Sequence, residues 1–272
     1  MPKKFVYLAP LTALGLVSVF ALIFAASCEA KSRATAAPHK GAAVLLKASA
    51  PAVPKPLEPV KIGKGDSLRD RIYIVPPLFG HPPVDPSTVE LIKSIVRHLP
   101  RNVYNILDKR GAKIYITPNM IDHWPDAVTF QNHAIGRYFS EETGRTYGRD
   151  VYICERTSSA PGSTNLGPIM SDPTLKSVAY PLLSHALNDC LGLPSKDLRF
   201  VNIYKEEASH LNRSMDESLK VYLDDHEGLI DTFAALCGSI MGNQTAATDE
   251  ACRYFPRCRE WIEQRITILS ER

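Results

Sequence analysis

From Phe5 to Ser27 the sequence contains no acid and no base; Lys3 and Lys4 are the only charges before Glu29. That absence excludes an ordinary core helix, which keeps a polar face toward water. The rest of the chain lacks other things. No basic stripe dominates: 32 Lys and Arg stand against 29 Asp and Glu, and removing the two N-terminal Lys leaves 30 against 29. Nucleic acid is therefore not an expected partner. No Cys-x-x-Cys and no Cys/His metal spacing occurs. No Gly-x-Ser-x-Gly occurs and no Cys has a His close by in sequence, so a serine or cysteine nucleophile has no support. No internal repeat is visible, which excludes a solenoid.

A short basic start, a long apolar run and a small-residue end read as an export signal or a membrane anchor. The run is long enough to span a bilayer, which needs about 20 residues. Ala25-Ala26-Ser27-Cys28 resembles the bacterial lipobox, whose Cys is lipidated, although Ala25 stands where Leu is usual. Residues 1–28 are thus a lipoprotein signal with Cys28 as the lipidation site, a signal cleaved after Ala30, or a retained transmembrane anchor. All three imply an exported protein of the bacterial cell envelope, membrane-anchored or secreted. Residues 29–62 are rich in Ala, Pro and Lys and predict an extended linker. Residues 63–272 then suffice for one good-sized domain. Five cysteines follow Cys28, so in an oxidising compartment at least one stays unpaired. Cys252 and Cys258 are the closest pair in sequence, and Cys190 and Cys237 lie in apolar helical patterns.

The domain predicts small strands early and helices late, an α+β class. Strands are expected over 71–75, 113–116 and 150–154. Asp85-Pro86 is an N-cap followed by a proline at the first helical position, and a second helix follows Pro100 and ends near Gly111. Residues 158–168 are rich in Ser, Gly and Pro and read as a loop. Beyond Pro173 helices are expected over about 173–191, 198–212, 217–240 and 249–270.

The informative stretch runs from Ser177 to Gly242. Zinc peptidases of the zincin class place two His at i and i+4 of one helix as HExxH. One turn brings both imidazoles to one metal, and the Glu acts on metal-bound water. Here the first helix reads Pro181-Leu182-Leu183-Ser184-His185-Ala186-Leu187-Asn188-Asp189, and a later one reads His226-Glu227-Gly228-Leu229-Ile230-Asp231-Thr232-Phe233-Ala234. With Leu99-Pro100, Gly111 and Lys113-Ile114-Tyr115-Ile116 upstream, this order resembles the zincin-like peptidase domain of the anthrax toxin lethal factor C-terminal type. The resemblance spans about residues 72–242. It implies a zincin-like α+β fold, a zinc cofactor and a peptide substrate. It places His185 on the second His of the motif and Glu227 on the third metal ligand.

Two departures change what it implies. Pro181 stands where the first His belongs and Leu182 where the catalytic Glu belongs. Proline offers a metal no side-chain donor, and leucine accepts no proton. His226-Glu227 begins like HExxH, but Ile230 fills the second His position. Glu227 and Asp231 share a helix face at i, i+4, so His185, Glu227 and Asp231 form the alternative metal set. Tyr204, Glu206, Glu207 and His210 make a polar patch of the kind that flanks such clefts, and read as surface. Three expectations follow. The first is a catalytically inactive zincin-like domain, a pseudo-metallopeptidase without zinc, that binds a peptide or protein partner in a cleft lined by His185, Glu227, Asp231 and Tyr204. The second is an active zinc metallopeptidase using the His/Glu/Asp set. The third is a structural envelope lipoprotein.

Overall fold

The computed structural model describes residues 53–132, 136–211, 220–224 and 227–271. The expected signal, Cys28 and His226 lie outside the described residues. Among the described residues no helix is long and apolar enough to cross a membrane. Residues 53–62, the end of the expected linker, belong to the same compact unit as the domain.

In chain order the elements are β1 (Val60–Lys61), β2 (Ile72–Ile74), α1 (Pro86–His98), α2 (Arg101–Lys109), β3 (Lys113–Thr117), α3 (Met120–His123), β4 (Gln131–Asn132), β5 (Arg137–Tyr138), β6 (Gly144–Tyr147) and β7 (Asp150–Cys154). The helical half follows: α4 (Asp172–Cys190), α5 (Leu198–Ser209), α6 (Gly228–Ile240), α7 (Ala246–Tyr254) and α8 (Pro256–Ser270). The fold is α+β, with a small sheet first and helices after it. Strand order in the sheet is β1-β2-β3-β7-β6. The central β2, β3 and β7 are parallel, while β1 and β6 are antiparallel edges.

The apolar residues predict which sheet face is buried. Ile72, Ile114 and Val151 pair in register, as do Ile74, Ile116 and Ile153. These side chains, with the inner faces of α1, α2, α4, α6 and α8, form the main core. Tyr73, Tyr115 and Tyr152 pair in register between those rows, so they project from the opposite face. Their rings stack at 5.0 and 4.5 Å between centroids. Trp124 and Phe139 extend this second cluster, which also contains Met120, Ile121 and Cys154. Burial pushes the Tyr115 hydroxyl up to about 12.

Two buried polar contacts fix how the helices meet the sheet. Glu155, just beyond β7, is fully buried; its carboxylate accepts from the Asp85 backbone N–H and the Thr88 hydroxyl, both at 2.7 Å. That ties the start of α1 to the end of the central strand. Asp122 of α3 is also fully buried. It accepts from the Leu78 N–H at 2.6 Å and from His81 Nδ1 at 2.8 Å, and His81 Nε2 faces the Thr164 carbonyl at 2.5 Å. Both ring nitrogens of His81 therefore face acceptors, which only the imidazolium satisfies. The pair locks a tight turn in which Phe79 and Gly80 take left-handed backbone angles (φ 53° and 77°).

Several expectations are corrected. The helix expected over 249–270 is two helices broken at Phe255-Pro256, because Pro256 starts α8 at its first turn. The helix expected over 217–240 has its described helical part only from Gly228, after a short 3-10 turn at Val221–Leu223. Edge strand β6 had no apolar alternation to announce it.

Candidate functional site

Helix α4 starts at Ser171, whose hydroxyl accepts from the Thr174 N–H, and buries Leu175, Ala179, Leu183, Ala186, Leu187 and Cys190 on one stripe. Pro181 sits inside it. Proline has no N–H to offer the preceding turn and costs a helix interior about 3 kcal/mol. Leu182 lies against edge strand β6. Its carbonyl accepts from the Thr146 hydroxyl at 3.3 Å. A Cβ at Gly144 would come within 2.5 Å of Leu182 Cδ1 and 2.5 Å of the Tyr152 oxygen, so only glycine lets the strand lie this close to the helix. Hydrocarbon thus fills the position beneath β6 that the resemblance assigns to a carboxylate.

Helix α6 packs along α4. His185 is partly buried, and burial holds its imidazole below the usual histidine range, with the charge of Glu227 opposing. Glu227 is exposed at the start of α6, where its N–H donates to Asp224 Oδ1 at 2.9 Å. Asp231, one turn along, is pushed up to about 6, first by burial and then by the charges of Glu227 and Asp224. A carboxyl raised this way folds best protonated, so it costs stability as pH rises from its ordinary value through about 6. The charge of Glu227 thus acts on both His185 and Asp231.

Tyr204 of α5 stands at the same end of α6. Its hydroxyl donates to the Tyr222 carbonyl at 2.6 Å, and its ring stacks on Phe255 at 5.7 Å. A Cβ at Gly228 would lie 2.9 Å from the Tyr204 hydroxyl and 2.6 Å from the Tyr222 oxygen, which explains glycine beside Glu227. Tyr204 thereby positions the first turn of α6.

The zinc that the resemblance implies does not fit these donors. Pro181 and Leu182 supply no ligand, and among the described residues no three His, Cys, Asp or Glu side chains converge into a group able to hold a metal ion. Catalytic zinc is held by three protein ligands. Among the described residues the donor set falls short of that number.

The polar patch on α5 is corrected in one member. Glu207 is buried, and its carboxylate accepts from the N–H groups of Arg257 at 2.8 Å and Cys258 at 3.1 Å, capping α8 from another helix. Glu206 is exposed and pairs with Arg257 at 2.8 Å. Cys154, Cys190, Cys237, Cys252 and Cys258 are all free thiols, so no Cys252–Cys258 bridge forms. Arg110, Arg149 and Arg265 were not singled out from sequence, yet they line one recess.

No family model matches the sequence, and no curated protein is similar enough to count as a relative. Among solved structures, the PRO-PRO endopeptidase PPEP-2 from Paenibacillus alvei is similar at 17% identity and a TM-score of 0.47. The match covers 72% of this chain and 98% of that one. A likeness of that grade assigns no activity to this chain.

Proposed function

We propose that this chain is an exported zincin-like pseudo-metallopeptidase, a domain that binds an extended peptide or protein segment without cutting it. The observation that carries the reading is the surface beneath β6. Leu182 presents hydrocarbon there, where hydrolysis requires a base to take a proton from water. Among the described residues β6 ends the sheet, with β7 on one side and no strand on the other. Such an edge can take an added strand through main-chain hydrogen bonds. In this reading His185, Glu227 and Asp231 are the polar residues that contact the bound segment.

The test uses the full chain purified in detergent without chelators, followed by metal analysis and a broad peptide-library digest with a parallel binding screen. Bound peptides without cleavage, and zinc far below one per chain, are expected. Near-stoichiometric zinc, with cleavage abolished by His185→Ala and by Glu227→Ala, overturns the reading in favour of the active His/Glu/Asp peptidase. Failure to capture any peptide or protein leaves the structural lipoprotein in its place.

Export and tethering are part of the same proposal, and they rest on residues 1–28. With Cys28 as a lipidation site, Cys28→Ser is expected to release the protein from the membrane fraction or to block its processing. Unchanged membrane retention in that variant points to an uncleaved anchor. A wild-type chain found in the cytoplasm with residues 1–28 intact sinks the export claim.

A further inference from the structure

A recess of about 420 Å³ lies at the C-terminal end of α4. Arg110 enters it from the end of α2, Arg149 from the turn between β6 and β7, and Arg265 from α8. Among the described residues Asp189 is the only acid on its wall, so three guanidinium groups face one carboxylate and leave an excess of two positive charges.

The internal contacts use little of this charge. Arg149 Nε approaches Asp189 Oδ2 at 3.4 Å, and Arg149 Nη1 donates to the Arg110 carbonyl at 2.5 Å. Arg265 Nε is buried and has no hydrogen-bond partner among the described residues. A buried donor left unsatisfied is unfavourable, the more so when charged. Arg265 is one of the residues lining the recess, so the charge of its side chain adds to the positive field there. The positive field also reaches the neighbouring wall: Cys190 is pushed up to about 12 by burial and by Asp189, with Arg149 and Arg110 acting against that rise.

We infer that this recess binds a phosphate-bearing ligand. Guanidinium groups arriving from three separate elements suit an anion whose oxygens point in several directions, which a tetrahedral phosphate offers and a planar carboxylate does not. Arginine matches phosphate oxygens through its fixed fork of donors. The volume exceeds that of a bare anion and falls in the range of small-molecule sites. Leu191 and Leu269 give the remainder of the ligand an apolar wall. Nothing in this site depends on the peptide-binding reading, since the recess shares no residue with the Leu182, His185 and Glu227 cleft.

The test is calorimetric titration of the full chain in detergent, at constant ionic strength, with inorganic phosphate, pyrophosphate, glycerol 3-phosphate and acetate as separate probes. Saturable binding of at least one phosphate probe is expected, with acetate at least about tenfold weaker. Tighter binding of glycerol 3-phosphate than of inorganic phosphate assigns an organic phosphate such as a lipid headgroup; the reverse order assigns free phosphate. Arg265→Gln and, separately, the exposed Arg110→Gln are expected to weaken binding about tenfold or more, the scale of one charge-assisted hydrogen bond. Arg265→Lys should recover part of the loss, because it restores charge without the fork. Absence of saturable phosphate binding overturns the proposal. So does acetate binding equal to phosphate, or unchanged affinity in both Gln variants while circular dichroism shows them folded.

Discussion

A chain carrying Pro181→His together with Leu182→Glu is expected to take up close to one zinc per molecule where the wild type holds almost none. The pair of substitutions places a second imidazole one helical turn before His185 and a carboxylate beside it. Residues at i and i+4 share a helix face, so both rings reach the same point in space. Glu227, whose charge acts on His185, is the residue that the resemblance assigns as the third donor. The affinity gain is expected to be roughly a thousandfold or more, since partners outside the coordination sphere alone are worth about 10–100-fold. The helix gains too, because an interior proline costs about 3 kcal/mol. The introduced carboxylate adds a general base, an element worth roughly 10²–10⁴-fold in rate. Plasma mass spectrometry after chelator-free dialysis measures the uptake. Adding Glu227→Ala to the double variant should drop the occupancy again. A folded double variant that takes up no zinc refutes the register proposed for the degenerate motif.

Removing Asp122 by Asp122→Ala is expected to cost about 3–5 kcal/mol, the range for breaking a buried ion pair by deleting one partner. For a domain of this size that lowers Tm by roughly 10 °C. The reason is that Asp122 and His81 are both buried, and Asp122 also holds the Leu78 N–H. The same pair gives stability a pH dependence of defined sign. Burial alone would lower the His81 pKa, but the hydrogen bond and charge of Asp122, with the Thr164 carbonyl, raise it above its ordinary 6.5. A histidine raised on folding contributes fully below its unfolded value and loses that contribution as pH rises through the folded one. Denaturant unfolding of wild type and His81→Gln from acid to alkaline pH should therefore show a stability gap that narrows as pH rises. A gap that stays constant, or widens, refutes an imidazolium at position 81.

The parts of the fold that could be read beforehand were those where local and tertiary preferences agree. Asp85-Pro86 opens α1, with the Asp85 carboxylate accepting from the Ser87 N–H at 2.8 Å, and Ile114, Ile116, Val151 and Ile153 form the core strands expected of them. The helices expected side by side from the motif order, α4 and α6, do pack together. Three features had no local signal. β6 reads Gly-Arg-Thr-Tyr, and only pairing with β7 makes it a strand. Glu207 looks like surface because nothing in its own helix shows that it caps α8. Arg110, Arg149 and Arg265 are far apart in the chain, and only the packing of α2, the β6–β7 turn and α8 collects them.

The ring stack on the outer sheet face gives this protein a built-in optical reporter. Tyr73, Tyr115 and Tyr152 belong to three adjacent strands, and Trp124 sits 4.6 Å from the last of them. At such separations the electronic transitions of neighbouring rings couple, and excitation absorbed by tyrosine passes to tryptophan. The contribution of this stack to the near-ultraviolet dichroism therefore depends on strand register, and Trp124 emission on tyrosine excitation depends in part on the alignment of β3 and β7. Slippage of one strand by a single residue would turn its tyrosine to the opposite face and weaken that contribution while the helices kept their own.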